Sequence, residues 1–323
     1  MLRKDNWVFA ALCVVSAATA IAESGPQGPI PMSFGAAGPT TMPTLQNTGP
    51  TNPNILTPSD GMGTSQDGQI IQNLAIKGSG AKSSHVIQVS DNNVTIENCT
   101  IDGNGMNSGV DIFIKAGVTG TRILNCALTG TGDGSYVISD HGSGTIISNC
   151  HFYKTAGSVF FFNGNNITVQ NNWLERIGWC TLGTVNNGQA GDFHTDDVFI
   201  EAGTGFVFKN NCFQTPSFCT VDGVNYSALR VFFIDPFNAA DVVGTVDIQN
   251  NYLDGGGSYM LHLMGQGAVT FADNVFAEDA NYGIVYPTYV GDRVIWTNNI
   301  LGSTRKALSP PVISGTKLVA QPR

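Results

Sequence analysis

Ile147-Ser148-Asn149-Cys150-His151-Phe152 is followed, one short interval later, by Val169-Gln170-Asn171-Asn172-Trp173-Leu174. Both read apolar, any, Asn, any, any, apolar. The same pattern opens at Ile71, Ile96, Ile123, Phe208, Ile248, Phe271 and Trp296, making nine copies. Asp273 is the one departure at the Asn position. The first residues are 25, 27, 24, 22, 39, 40, 23 and 25 apart. A fixed period of this size marks a solenoid, in which one supersecondary unit stacks on the next. Asn suits a sharp bend, because its side chain bonds nearby backbone and it tolerates left-handed φ. Stacked in successive coils, it can form an amide ladder. The next position reads Cys99, Cys126, Cys150, Asn172, Asn211, Asn251, Asn274 and Asn299, a second candidate ladder.

A β-rich strand precedes each of these turns by a nearly constant gap, as in Val86–Val89, Asp111–Ile114, Val159–Phe162 and Arg230–Phe233. No 3.6-residue period is present, which excludes helical solenoids. The expected fold is therefore all-β: a single-stranded right-handed parallel β-helix of about nine coils, roughly 40 Å long at the spacing of paired strands. The pattern over about 63–308 resembles the pectin-lyase-like superfamily of right-handed β-helices. That resemblance implies the fold. It leaves function open among lyases, hydrolases, esterases, epimerases, phage tailspikes and adhesins. Where such proteins are enzymes, it implies a polysaccharide lying along one strand face.

Around the coils, the chain divides into a signal peptide (1–22), a leader or linker rich in Pro, Gly and Thr (23–62), and a C-terminal tail (309–323). Arg3 and Lys4 precede a short apolar run, and Ala20-Ile21-Ala22 fits a cleavage site, so the mature chain is expected to begin at Glu23 in a secreted or periplasmic protein. The apolar run is too short to span a bilayer, and no other segment is longer. The six cysteines beyond the signal lack any Cys-x-x-Cys pair, which argues against zinc; a Cys180–Cys219 disulfide is one expectation. The 323 residues carry a net charge of −9, with only 12% charged residues. Nucleic-acid binding needs a basic face and is excluded.

Two adjacent intervals, 39 and 40, exceed one coil, so their loops must emerge side by side. Long loops on a rigid scaffold are where function collects. The first ends in Gly191-Asp192-Phe193-His194-Thr195-Asp196-Asp197. Carboxylates beside an imidazole supply general acid, general base or cation ligands. The expected catalytic group is His194, Asp196, Asp197 and Arg230, with Asp111, Tyr136, Trp179, Glu201 and Tyr226 contacting substrate. The competing reading is an Asp-rich turn that bonds backbone amides, with Arg230 as the ion-pair partner of Asp197. His262 reads as a structural histidine.

Asp196-Asp197 is faintly similar to the carboxylates of polygalacturonases, whose Gly-His-Gly and Arg-Ile-Lys motifs are missing. Val137–His141 partly resembles the Trp-Ile-Asp-His stretch of pectate lyases, whose Arg-x-Pro-x-x-Arg segment is missing. Counting back from each turn, Asp197 falls in a column with His85, Asp111, Tyr136 and Ser158. A second column holds Ile87, Phe113, Ile138, Phe160 and Phe199, with Phe232 nearby. If outward, this apolar stripe stacks sugars or lies under the leader and long loops.

The sequence is thus expected to encode a polysaccharide-cleaving or -modifying hydrolase or lyase, monomeric, acting on a polysaccharide or cell-surface glycan. A non-catalytic glycan-binding matrix protein or adhesin is the alternative. No cofactor or metal is called for; Ca²⁺ is possible, though no motif supports it.

Overall fold

The computed structural model describes residues 37–319 apart from 83, 107–108, 133–134, 178–194, 216–218, 222–223, 227–229, 237–240, 256–257, 265–266, 278–279, 281–282, 287–293, 310–311 and 315–316. The chain forms a right-handed parallel β-helix. Each coil contributes one strand to each of three parallel sheets. Among the described residues, sheet 1 runs from Thr57–Asp60 and Leu74–Lys77 through to Ile300–Leu301, with ten strands. Sheet 2 runs from Met62–Gly63 and His85–Val89 to Gly283–Val285, with nine. Sheet 3 runs from Ile70–Gln72 to Val294–Thr297, also nine.

The repeated motif is the corner between sheets 3 and 1. Its first apolar residue lies in a strand of sheet 3, one residue from the strand's end, and its last lies in sheet 1; Ile147 pairs with Val169, and Phe152 with Leu174. The Asn between them takes left-handed φ in every copy. Asn73, Asn98, Asn125, Asn149, Asn171, Asn210, Asn250, Asp273 and Asn298 all lie between 51° and 58°. Asn and Asp bear this conformation best among side chains with a Cβ, which is why the position is so uniform.

The residue after it points inward, and here the amide ladder forms. Asn172 Nδ2 donates to Asn211 Oδ1 (3.0 Å), Asn211 to Asn251 (3.0 Å), Asn251 to Asn274 (3.1 Å) and Asn274 to Asn299 (3.0 Å). The second Nδ2 hydrogen of Asn211 reaches Val169 O, and that of Asn251 reaches Phe208 O. The backbone N–H of Asn172 also donates to Asn211 Oδ1. Fully buried amides are tolerated here because every donor and acceptor is used. In the first coils the column holds free, buried thiols, Cys99, Cys126 and Cys150, whose burial and mutual contact raise Cys126 well above the usual thiol range.

The interior is a continuous apolar column of Ile, Val, Leu and Phe, including Ile112, Ile138, Phe160 and Phe232. Parallel strands buried on their inner face are expected to carry such a core.

Two expectations for the ends change. Strands begin at Thr57, ahead of the expected start at 63, because a short strand in the leader pairs with Leu74–Lys77. Residues 37–51 of the leader lie across the outside of sheet 1. Gly38 N–H donates to Asp273 O (2.6 Å), Gly49 N–H to Asn149 O (2.9 Å) and Thr51 N–H to Asn98 Oδ1 (2.8 Å). Ala37 and Met42 pack on the outward residues Trp173, Cys212, Tyr252 and Val275. The tail carries an antiparallel hairpin, Val312–Ser314 with Lys317–Val319.

Candidate functional site

Both long intervals break the coil at one corner, between sheet 1 and sheet 2. The first lies between the strands Trp173–Ile177 and Asp196–Ile200, the second between Cys212–Gln214 and Arg230–Ile234. These strands are neighbours in their sheets, so the two insertions leave side by side. The second contains an antiparallel hairpin in which Cys219 pairs with Tyr226. His194, Trp179 and Cys180 lie outside the described residues, as does the side chain of Tyr226; the Cys180–Cys219 pairing falls there too.

At the start of its strand in sheet 2, Asp196 pairs in register with Arg230. The Arg230 Nε lies 3.7 Å from Asp196 Oδ1, at side-chain exposures of 11% and 3%. The expected partner was Asp197. Adjacent strand residues face opposite sides, so only one of the two aspartates can meet Arg230. Burial pushes the Asp196 carboxyl up to about 7, against the opposing pull of Arg230. Its backbone N–H donates to Ser158 Oγ (3.0 Å) on the preceding coil. The Arg230 guanidinium also sits 3.9 Å above the Phe233 ring, a cation–π contact.

Asp197 is fully buried and accepts a 3.4 Å hydrogen bond from Thr215. Its carboxyl lies well above the usual carboxylate range, first through burial and then through Asp196. Asp111 is fully buried too, with neither oxygen hydrogen-bonded among the described residues; burial and then Asp102 raise it. Tyr136 is half-buried and makes a tilted ring contact with Phe161 at 4.8 Å; burial raises its phenol, followed by Asp196 and Glu201. Glu201, at the far end of the Asp196 strand, accepts from Asn163 Nδ2 (3.0 Å) and is raised by burial and Asp241.

The register corrects both columns. His85 pairs with Val110, Val110 with Tyr136 and Tyr136 with Ser158, so the first column leads to Asp196 and omits Asp111 and Asp197. The second column mixes two faces. Ile87, Ile112, Ile138, Phe160, Val198 and Phe232 point into the core. The outward row is Gln88, Phe113, Ser139, Phe161, Phe199, Phe233 and His262. The turn after sheet 2 varies in length: 9 residues separate Ile87 from Ile96, but 11 separate Ile112 from Ile123. A one-residue slip moves every side chain to the other face.

Sequence reading placed Phe113 and Phe199, but missed Phe161, Phe233 and His262, in this outward row. Its rings touch in sequence along the coils: Phe161–Phe199 at 5.2 Å, Phe199–Phe233 at 4.9 Å, Phe233–His262 at 4.9 Å and His262–Tyr286 at 4.4 Å. His85 stacks on Phe113 at 4.6 Å, and His141 bridges Phe113 and Phe161. Phe199 and Phe233 are nearly buried, whereas Phe113, Phe161, His262 and Tyr286 keep part of their surface open. Burial, then Arg230, lowers His262 to about 4, so it is neutral at physiological pH. The described strap of the leader, residues 37–51, lies on sheet 1 and not on this row.

Among the described residues, no three His, Cys, Asp or Glu side chains converge as a metal site. No helix among them is long and apolar enough to cross a membrane. A family model described as right handed beta helix region matches residues 52–213. No curated protein and no solved structure matches the chain.

Proposed function

The chain belongs to the right-handed β-helix family, and we propose that it is an exported, carbohydrate-active member that binds a polysaccharide along the outer face of sheet 2. The row of contacting rings from Phe113 to Tyr286 carries this reading. Aromatic rings at coil spacing offer apolar contact and edge hydrogens to successive sugars. Asp196 is the proton-handling group. A carboxyl at about 7 holds a proton at neutral pH and can release it, which is what general acid catalysis requires. Arg230 beside it is placed to pair with the carboxylate of a uronate residue.

Binding without cleavage is the second reading, favoured by one observation. Asp196 and Asp197 lie on opposite faces of their strand, whereas glycoside hydrolysis ordinarily needs two carboxyls flanking one bond.

Affinity electrophoresis through neutral and uronate polysaccharides, with product analysis of the same mixtures, tests the proposal. Wild type is retarded by at least one glycan, and Phe161→Ala abolishes the retardation. Asp196→Asn keeps retardation and removes product. Retardation without product from any glycan selects the binding reading. Migration unchanged by every glycan overturns both.

A further inference from the structure

We propose that the leader strap, residues 37–51, is exchangeable, and that two copies of this chain pair by each laying its strap on sheet 1 of the other. Three observations combine. The first is how the strap is held. Its anchoring donors are the main-chain N–H groups of Gly38, Gly49 and Thr51. All three acceptors belong to left-handed corner residues: the Asp273 and Asn149 carbonyls and the Asn98 amide. The corner column is thus a row of acceptors at coil spacing that reads an extended backbone and is largely indifferent to side chains. Residues 37–51 carry no charge; Ala37, Gly38, Pro39, Pro43, Thr48 and Gly49 are buried while Leu45 is 48% exposed, so the strap is held by these bonds and by small, uncharged contacts that a second copy would offer identically.

The second is what the strap leaves undone. Trp173 Nε1 and Asn210 Oδ1 are buried without a hydrogen-bond partner among the described residues. Both belong to coils between the Asp273 and Asn149 docking points. The strap is therefore an incomplete occupant, of the low-stability kind that opens ahead of the core.

The third concerns the first coil. Asn52–Leu56, which joins the strap to the first strand, is largely exposed. Thr57–Asp60 and Ile70–Gln72 are the outermost strands of their sheets, with one edge unpaired among the described residues. Ile55 and Ile70 are 65% and 59% exposed at this end. Five joining residues reach about 17 Å, so a strap docks on a second copy only when the two first coils meet. That meeting buries Ile55 and Ile70. The exchanged and closed forms share the same strap contacts, so exchange costs little beyond association.

The test uses the full chain. A Cβ on Gly49 would lie 3.6 Å from Ala127 Cβ, within disulfide range. One copy carries Gly49→Cys and one tag; the other carries Ala127→Cys and a second tag. Gly49 has φ of +77°, so the substitution weakens docking equally within and between chains. Co-expression and mild oxidation with oxidised glutathione should give a disulfide-linked species bearing both tags. Light scattering of the wild type should give the mass of two chains, returning to one in Ile55→Asp/Ile70→Asp, whose exposed positions leave the fold intact. Internal closure of the Gly49→Cys/Ala127→Cys double variant without any mixed species would overturn the proposal. So would a wild-type mass of one chain at every concentration.

Discussion

Sheets 1 and 2 share every coil, yet they manage polar and apolar groups in opposite ways. Sheet 1 presents large apolar groups outward, Trp173, Cys212, Tyr252 and Val275, and hides them beneath the chain's own leader. Its described carboxylates, Asp60, Asp102, Glu175 and Asp254, all keep some exposure. Sheet 2 leaves part of its outward rings open and buries its carboxyls: Asp111, Asp140, Asp196 and Asp197 are at most 2% exposed. Sheet 1 is organised for stability. Sheet 2 holds groups that are costly to bury, and these concentrate at functional sites.

The sharpest way to break the contrast is a ring removed from each face. Trp173→Ala should cost about 3–5 kcal/mol, the usual range for a buried Trp. Limited proteolysis should then cut within 37–51. Phe161→Ala, half-exposed, should cost about 1 kcal/mol or less in urea unfolding while abolishing glycan retention. Equal stability losses for the two would erase the distinction.

The ladder at the edge of sheet 1 gives the next effect. Asn251→Leu removes the acceptor of the Asn211 N–H and Nδ2 groups and the Nδ2 donor to Phe208 O, and should lower stability by about 2–3 kcal/mol in denaturant titration.

Sheet 2 should show its buried carboxyls as pH dependence. Asp111 and Asp197 sit above their unfolded values, so they bind protons more tightly folded than unfolded. Their contribution is complete below about pH 4, where both states are protonated. As pH rises from there, each group costs the fold about 1.4 kcal/mol per pH unit until it ionises in the folded state as well. Thermal unfolding midpoints should be higher at pH 5 than at pH 8. Asp111→Asn should flatten that pH dependence, and a substitution of an uncharged sheet 1 residue such as Trp173→Ala should leave its slope unchanged.

The smallest effect is a gain. Cys150→Asn extends the ladder toward Ile123 O and Asn172 Oδ1, and should add about 0.5–1 kcal/mol, limited by the larger side chain.

The coil count and corner chemistry were legible because one rule, left-handed φ, selects Asn or its close relative Asp nine times. The address of the insertions was legible from two intervals of 39 and 40. The partner of Arg230 was not. Asp196 and Asp197 are chemically identical, and only the strand's pleat separates them. The ring row was obscured by variable turns after sheet 2, and the leader's role by composition: a segment rich in Pro, Gly and Thr reads as a tether, while its order comes from an acceptor row contributed by distant coils.

The strap also carries a length relation. Between Gly38 on Asp273 and Gly49 on Asn149, eleven residues cross four coils, about 19 Å at about 4.8 Å per coil. Extended, they would reach about 36 Å. The excess is stored in the turn where Thr48 bonds back to Thr44 O and Asn47 Oδ1 holds Thr44 N–H. From Gly49 to Thr51, two residues reach about 7 Å against about 10 Å for two coils, and the Asn98 side chain closes the gap, with nothing to spare. A coil gained or lost among the later repeats is therefore absorbed by unwinding or tightening one turn. A coil gained between Asn98 and Asn149 tears the strap from its anchor, so growth of this solenoid by repeat duplication has a permitted half and a forbidden one.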